Sequence, residues 1–475
     1  MTPGATTSEG ESLRSFREKV AHLPADQRER VGPLVRAIPP SLRYGPVFQR
    51  TLRELRKART VPSWAAQERG RRLEQLLDQG AETDYYGSEP GYEALRERGV
   101  GAFERLSRLP ILTREQLSKH SLRMLTVPES GVQMTATSGT SGDPILFHLD
   151  RQRGAAEWAY VFDAWHRATG YELDDWRLFL RGAADLPGGA DHYLQRATGE
   201  LVLRVQALAP ERIQEQWGWV RDRGIRYLHG YPSALSYMAK LVEEQLPDDE
   251  WRHQIRGVLA VSEEFTPGQQ QTFERVFPNA EISNFYGLSE RTCFASMDPD
   301  GTFHAEPLYG ITELLGEDGL PVEVGQRGRL VTTSLMIKGQ PFLRYDTGDS
   351  AERVGTDAWG QPTFRAISSR RGREGLVRAD GSLFPTTSLN VHGHQFLCIR
   401  RFRFRQDVPG RVTLRVEPTA DAAPEELEEF YQAMCRRTAG QVELGFELVE
   451  HLEIPPNGKD RIVDQNIAGV SGTWA

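Results

Sequence analysis

The chain has 475 residues, with 58 basic and 66 acidic side chains giving a net charge of −8; 39% of residues are hydrophobic and 26% charged. That length exceeds one ordinary domain, so a large domain plus a smaller one is expected, and the mixed, slightly acidic charge argues against a nucleic-acid scaffold and for an enzyme. The three cysteines, Cys293, Cys398 and Cys435, form no close pair, so neither a disulfide framework nor a CxxC metal site is suggested. No apolar run is long enough to span a bilayer, and residues 1–10 lack the basic and apolar regions of a signal peptide. The expected location is the cytoplasm, with no membrane partner.

Residues 1–12 read as a disordered lead-in, and residues 12–80 as helices. Within the latter, Leu73, Leu76 and Leu77 share an apolar face at helical spacing. Thr113 followed by Gln116 has the spacing of a capping box and starts a further helix. Next comes Thr135-Ala-Thr-Ser-Gly-Thr-Ser-Gly-Asp-Pro144, in which Gly139 and Gly142 allow tight turning and Thr137, Ser138, Thr140 and Ser141 add hydroxyl donors to exposed N–H groups. That chemistry suits phosphate oxygens, and it is also the composition of an ordinary surface turn.

Downstream, helices and strands alternate. Helix is expected over 155–166, 211–223, 234–245 and 267–276, and strand over 176–181, 227–229, 257–261 and 281–285, with a break at Gly230-Tyr-Pro-Ser233. This is the signature of parallel βαβ units and an α/β core. From about 310 to 355 the chain becomes β-rich, Arg329–Thr333 being its clearest strand. Beyond it, Asp380-Gly381 signals a hairpin within 376–384. A second hairpin joins 401–405 to 411–416, a helix spans 424–437 with acids early and arginines late, and a strand covers 442–449.

Three more segments carry candidate chemistry. Asn284-Phe-Tyr-Gly-Leu-Ser-Glu290 follows a strand, where α/β folds place ligand contacts. Glu290 could hold Mg²⁺, and Tyr286 offers a flat face for a base. Asp349, closing Arg344-Tyr-Asp-Thr-Gly-Asp349, could accept hydrogen bonds from ribose hydroxyls. Pro455-Pro-Asn-Gly-Lys-Asp-Arg461 presents Lys459 on a turn. Taken singly, these residues also suit a core aromatic, a turn carboxylate and a solvated lysine.

Together and in this order, the four segments resemble the adenylate-forming ligases of the acyl-CoA synthetase superfamily, in the branch of phenylacetate–CoA ligase, coenzyme F390 synthetase and the capsule-biosynthesis ligases. The likeness runs from about Tyr44 to the C-terminus and includes Leu109-Pro-Ile-Leu112, Gly230–Ser233 and Gly458-Lys459. It implies a large adenylation domain with parallel and mixed sheets (13–371) and a small mobile α+β lid (372–475), hinged at Gly372-Arg373. It also implies a two-step reaction. A carboxylate attacks the α-phosphate of ATP, releasing pyrophosphate, and the acyl-adenylate then passes its acyl group to an acceptor, usually the CoA thiol.

In that scheme residues 137–142 hold phosphates, Glu290 is catalytic through Mg²⁺, and Lys459 neutralises the forming acyl-phosphate. Asn284, Tyr286, Gly287, Ser289, Asp349 and Arg373 hold the nucleotide. Pocket walls fall at His166, His229, Gly230, Tyr231 and Ser262, suiting a compact aromatic or functionalised acid. The oligomeric state implied is monomer or homodimer. The chain departs from the pattern at the hinge, where Gly372-Arg-Glu-Gly375 puts Gly375 near the expected acidic position, so the acceptor is also open to an amine, a carrier-protein thiol or another small nucleophile. A non-catalytic nucleotide- or acyl-binding relative is the remaining alternative.

Overall fold

The computed structural model describes residues 25–136, 146–151, 153–181, 190–263, 265–369, 375–381, 383–385, 398–438, 441–453 and 462–467. The first of these are helical, as expected: α1 (Ala25–Ala37), α2 (Gly45–Thr60) and α3 (Pro62–Ala81). Leu73, Leu76 and Leu77 on α3 are buried in one apolar cluster with Tyr85, Tyr86 and Leu112. Helix α4 (Arg114–His120) opens with the expected capping box. The Thr113 hydroxyl accepts from Gln116 N–H, and the Gln116 side chain accepts from Thr113 N–H at 2.9 Å. Strands β1 (Val132–Ala136) and β2 (Leu146–Asp150) pair antiparallel and lead to α5 (Arg153–Thr169).

Strands β3 (Arg177–Arg181), β4 (His192–Gln195), β5 (Glu200–Arg204), β6 (Tyr227–Gly230), β7 (Gly257–Ala260) and β8 (Glu281–Ser283) form one sheet in the order β4-β5-β3-β6-β7-β8. All pair parallel except the edge strand β4. Helices α6 (Ile213–Asp222), α7 (Pro232–Gln245) and α8 (Pro267–Val276) make the crossovers. Every residue of β6 and β7 is buried, as parallel strands covered on both faces must be. Proline at the first turn starts α7 inside the expected break, because Pro232 has no N–H to lose there. Gly230 is required by packing, since a Cβ would lie 3.0 Å from the Leu180 Cβ.

The expected strand 281–285 is in fact two strands. After β8 the chain changes partners at Asn284, and β9 (Phe285–Gly287) begins an antiparallel sheet. Both halves are extended, so the residue pattern carries no mark of the switch. The new sheet continues through β10 (Phe294–Met297), β11 (Phe303–Ala305), β12 (Gly310–Leu315), β13 (Arg327–Ser334), β14 (Tyr345–Thr356) and β15 (Pro362–Ser369), ordered β12-β13-β14-β15-β11-β10-β9. Register shifts at 329/331, 350/352 and 353/355 bend it. Its inner face packs Cys293, Ala295, Ala305, Leu330, Ala351 and Phe364 into one core.

The two hairpins expected beyond this sheet form. Strand β16 (Gly375–Val377) pairs with β17 (Leu383–Pro385), and β18 (Ile399–Val408) with β19 (Arg411–Pro418). Helix α9 (Pro424–Thr438) follows. Strands β20 (Glu443–Leu448) and β21 (Val463–Gln465) then complete a four-stranded sheet, β20-β19-β18-β21, over the face carrying Phe430 and Met434. By internal contacts the chain divides into two compact units, 1–167 with 285–370 and 168–284 with 371–475. No helix among the described residues is long and apolar enough to cross a membrane.

Candidate active site

Two of the four sequence segments, 284–290 and 344–349, lie fully within the described residues, and the structure brings them together. Glu290 follows β9 and is buried, 4% exposed. The Tyr345 hydroxyl, at the start of β14, donates to its Oε1 at 2.7 Å. In return the Tyr286 hydroxyl on β9 donates to Asp349 Oδ2 at 2.6 Å. Each segment thus lends a tyrosine to the other's carboxylate. Burial and the neighbouring Asp349 charge raise the Tyr286 phenol well above its ordinary pKa, so it stays protonated and donates.

Backbone geometry prepares both carboxylates. Arg291, next to Glu290, and Arg344, next to Tyr345, both have left-handed φ, at 58° and 47°. Such strain costs on the order of 1 kcal/mol or more per residue and persists only where neighbours hold it. Here the neighbours are carboxylates. Arg291 pairs with Glu157 of α5 at 2.7 Å, and Tyr309 donates to the same carboxylate at 2.6 Å. Arg344 pairs with Glu313 at 3.0 Å and donates to the Leu109 carbonyl at 2.7 Å. Leu112 N–H donates to Arg344 O while Asp346 N–H donates to Leu112 O, so the Leu109–Leu112 run is the strut under the second segment.

The turn before Asp349 is equally determined. Asp346 Oδ1 accepts from Gly348 N–H at 2.8 Å, Thr347 Oγ1 accepts from Asp349 N–H at 3.1 Å, and Gly348 has φ 76°. Gly287 is different, because nothing among the described residues demands a glycine there. A Cβ would meet only ordinary contacts, the nearest at 3.7 Å, and the residue is exposed. Its bare backbone is open to an approaching ligand. Ser289 is half-buried in the same stretch, and Asn284 is buried at the partner switch.

Among the pocket residues, His229, Gly230, Tyr231 and Ser262 gather at the carboxyl ends of β6 and β7, the edge where open α/β sheets bind ligands. His229 stacks on Phe179 with centroids 4.3 Å apart. Tyr231 caps α7, its phenol pushed up by burial and by Glu263. Ser262 is exposed with φ 66°, and Glu263 beside it accepts from Ser233 N–H at 3.2 Å. His166 belongs to the other unit, on α5, where it stacks on Phe162. Thr137, Ser138, Gly139, Thr140, Ser141, Gly142, Arg373 and Lys459 lie outside the described residues.

No group of three or more His, Cys, Asp or Glu side chains that could cage a metal occurs among the described residues. Magnesium on a nucleotide needs only one or two carboxylates, the phosphates and water supplying the rest. One buried, oriented carboxylate, Glu290, therefore fits it.

Sequence reasoning missed four parts of this arrangement. Tyr345 stood inside a motif already singled out, so its partnership was within reach of a donor–acceptor reading. Arg291, Glu157 and Tyr309 gave no local signal.

The fold is that of the adenylate-forming, acyl-CoA synthetase-like enzymes. Phenylacetate-coenzyme A ligase of Escherichia coli (strain K12) is 26% identical over 292 residues, which are 59% of this chain and 65% of that one; the match thus spans less than two thirds of the relative. Among solved structures, a 2-hydroxyisobutyryl-CoA ligase in the postadenylation state in complex with R3-HIB-AMP aligns with TM-score 0.59 at 18% identity, over 83% of this chain and 88% of that one. The GH3.15 acyl acid amido synthetase aligns with TM-score 0.50 at 16% identity, over 81% and 86%. No family model matches the chain.

Proposed function

We propose that the chain is an AMP-forming ligase that activates a small carboxylic acid, aromatic or functionalised, as its acyl-adenylate and passes the acyl group to CoA. The observation that carries this reading is the reciprocal pair of bonds, Tyr345 to Glu290 and Tyr286 to Asp349, which orients one carboxylate in each of the sequence segments the resemblance assigns to nucleotide. The likeness to phenylacetate-coenzyme A ligase supports it independently.

In this scheme Asp349 accepts hydrogen bonds from the ribose hydroxyls, since an ionised carboxylate only accepts. Tyr286 presents its ring to adenine, and the backbone at Gly287, with Asn284 and Ser289, lines the approach. Glu290 holds the nucleotide's Mg²⁺, which when bound offsets phosphate charge. The hydroxyl-rich loop 137–142 donates to the phosphates. Arg373 lies at the hinge. Lys459 supplies positive charge as the carboxylate meets the α-phosphate. The acid is received at the sheet edge formed by His229, Gly230, Tyr231 and Ser262, and residues 372–475 act as a lid that moves between the two steps.

A second reading is motivated by Gly375 at the hinge position where the related enzymes carry an acid. In it adenylation is retained and the acceptor is an amine or a carrier-protein thiol. ATP–pyrophosphate exchange over a panel of small acids, without acceptor, tests the first step. Exchange with one acid is the expected result, and none across the panel would count against adenylation. Mass analysis of products formed with CoA, amines or carrier protein separates the two readings of the second.

A further inference from the structure

The Tyr286–Asp349 bond joins strands that the sheet keeps far apart. From β9 the ladder runs through β10, β11 and β15 to β14, four steps. At about 4.8 Å per step, a flat sheet would separate the two strands by about 19 Å. The observed 2.6 Å bond means that the sheet curls until its edge strand faces β14. The register shifts in β13–β15 and the small inward residues Ala295, Ala305 and Ala351 permit that curl. The hydroxyl therefore sits where it does because of a fold-wide bend, and it ends on the one carboxylate in this turn that the nucleotide reading requires.

A purely aromatic platform would not need that hydroxyl. Phenylalanine would present the same ring and avoid burying a phenol. The half-buried phenol is instead held neutral, as a donor, against an anion. A carboxylate has two oxygens and roughly four lone-pair sites, so one short bond from a rigid ring orients it without exhausting its capacity to accept. The Asp349 main chain is meanwhile held by Thr347. Backbone and side chain of Asp349 are thus fixed from two directions.

We propose that Tyr286 is a positioning residue for ribose recognition: its hydroxyl sets the rotamer of Asp349, so that selectivity for a nucleotide carrying ribose hydroxyls depends on Tyr286 as much as on Asp349. This rests on the nucleotide reading given above and adds to it a function for the hydroxyl separate from the ring. Tyr286→Phe keeps the ring and removes only the donor.

The experiment measures dissociation constants of ATP and 2′,3′-dideoxy-ATP by calorimetry for the wild type, Tyr286→Phe, Asp349→Asn and the double variant, each checked for native thermal unfolding. The wild type should prefer ATP. Tyr286→Phe should weaken ATP by about tenfold, the scale of one lost bond to a charged group, and dideoxy-ATP by less than about twofold. Adding Tyr286→Phe to Asp349→Asn should change nothing further. Equal weakening of both nucleotides, or unchanged ATP binding, overturns the proposal while leaving the nucleotide reading intact. Failure of the wild type to bind ATP overturns both. If Tyr286→Phe does not fold, Asp349→Asn decides alone, because retained preference for ATP over dideoxy-ATP in that variant overturns the assignment.

Discussion

On and beside the seven-stranded sheet, Glu290 and Asp349 each accept a hydrogen bond from a tyrosine of the other segment, at 2.7 and 2.6 Å. On α7 the buried group is a cation: Lys240, 9% exposed, donates to the Ile399 carbonyl at the start of β18. One turn either side, Tyr237 donates to Glu417 at 3.3 Å, and Glu244 accepts from the Arg400 guanidinium and from the Ala420 N–H. The first network couples carboxylates to tyrosine hydroxyls, of which Tyr286 is held protonated by burial and by Asp349. The second packs charge against charge at the seam where the C-terminal sheet meets α7, and its lysine is perturbed. Burial, and secondarily Arg275, push the Lys240 amine down to about 8 from 10.5, against the opposing pull of Glu244. The two networks are thus written in different side-chain chemistry, phenols against carboxylates in one and buried cations in the other. If residues 372–475 move as proposed, these α7 contacts are what must break.

The sharpest way to break the comparison is at Glu290. Glu290→Gln keeps shape and removes the charge, and exchange should fall roughly 100-fold or more, as when a group acting on developing charge is lost. ATP binding without Mg²⁺ should change little. If exchange survives, the first network is structural and the contrast with α7 disappears. At the seam, Arg400→Met leaves Glu244 buried without its guanidinium. It should destabilise the fold by about 3 kcal/mol, read from denaturant midpoints, with the ATP dissociation constant unchanged.

Lys240→Met tests the seam by pH. Between about 8 and 10.5 the unfolded chain holds a proton on this lysine that the folded chain has released. Stability of the wild type should therefore rise with pH across that window, the penalty being fully present below about 8, by on the order of 3 kcal/mol for a shift of this size. Other groups titrate nearby, Cys293 among them, its thiol pushed up to about 12 by burial. The quantity to plot is consequently the difference between wild type and Lys240→Met, which should shrink as pH rises. A flat difference would mean that Lys240 is not a buried cation at neutral pH.

What was legible in the sequence had a local signature. The Thr113–Gln116 cap, the proline that opens α8, and Asp380-Gly381 are each a few residues long, and the elements they mark formed as expected, whereas α7 began at Pro232, inside the expected break. The segments 284–290 and 344–349 were legible for the same reason, being contiguous runs. What escaped depends on partners far along the chain. Glu157 meets Arg291 across 134 positions and Lys240 meets Ile399 across 159. Tyr237, Lys240 and Glu244 recur at i, i+3 and i+7, which reads as a solvated helix face until the C-terminal sheet is seen to cover it. The switch from β8 to β9 escaped because extended backbone looks alike on either side of a change of partner.

The smallest expected effect is the most discriminating. Tyr345→Phe removes the hydroxyl that donates to Glu290 and nothing else. As a plain core hydrogen bond it would cost about 1 kcal/mol of stability and leave ligand binding alone. As the group that orients a metal-holding carboxylate, it should also raise the Mg²⁺ concentration giving half-maximal exchange, by about tenfold, the usual scale for a supporting contact behind a ligand. Calorimetry should show the same shift for binding of the Mg²⁺–ATP complex without acid present, while metal-free ATP binds as before. A fall in unfolding midpoint with an unmoved Mg²⁺ dependence would reduce Tyr345 to packing. It would leave the Tyr286–Asp349 bond as the only one of the reciprocal pair with a reason to face the nucleotide.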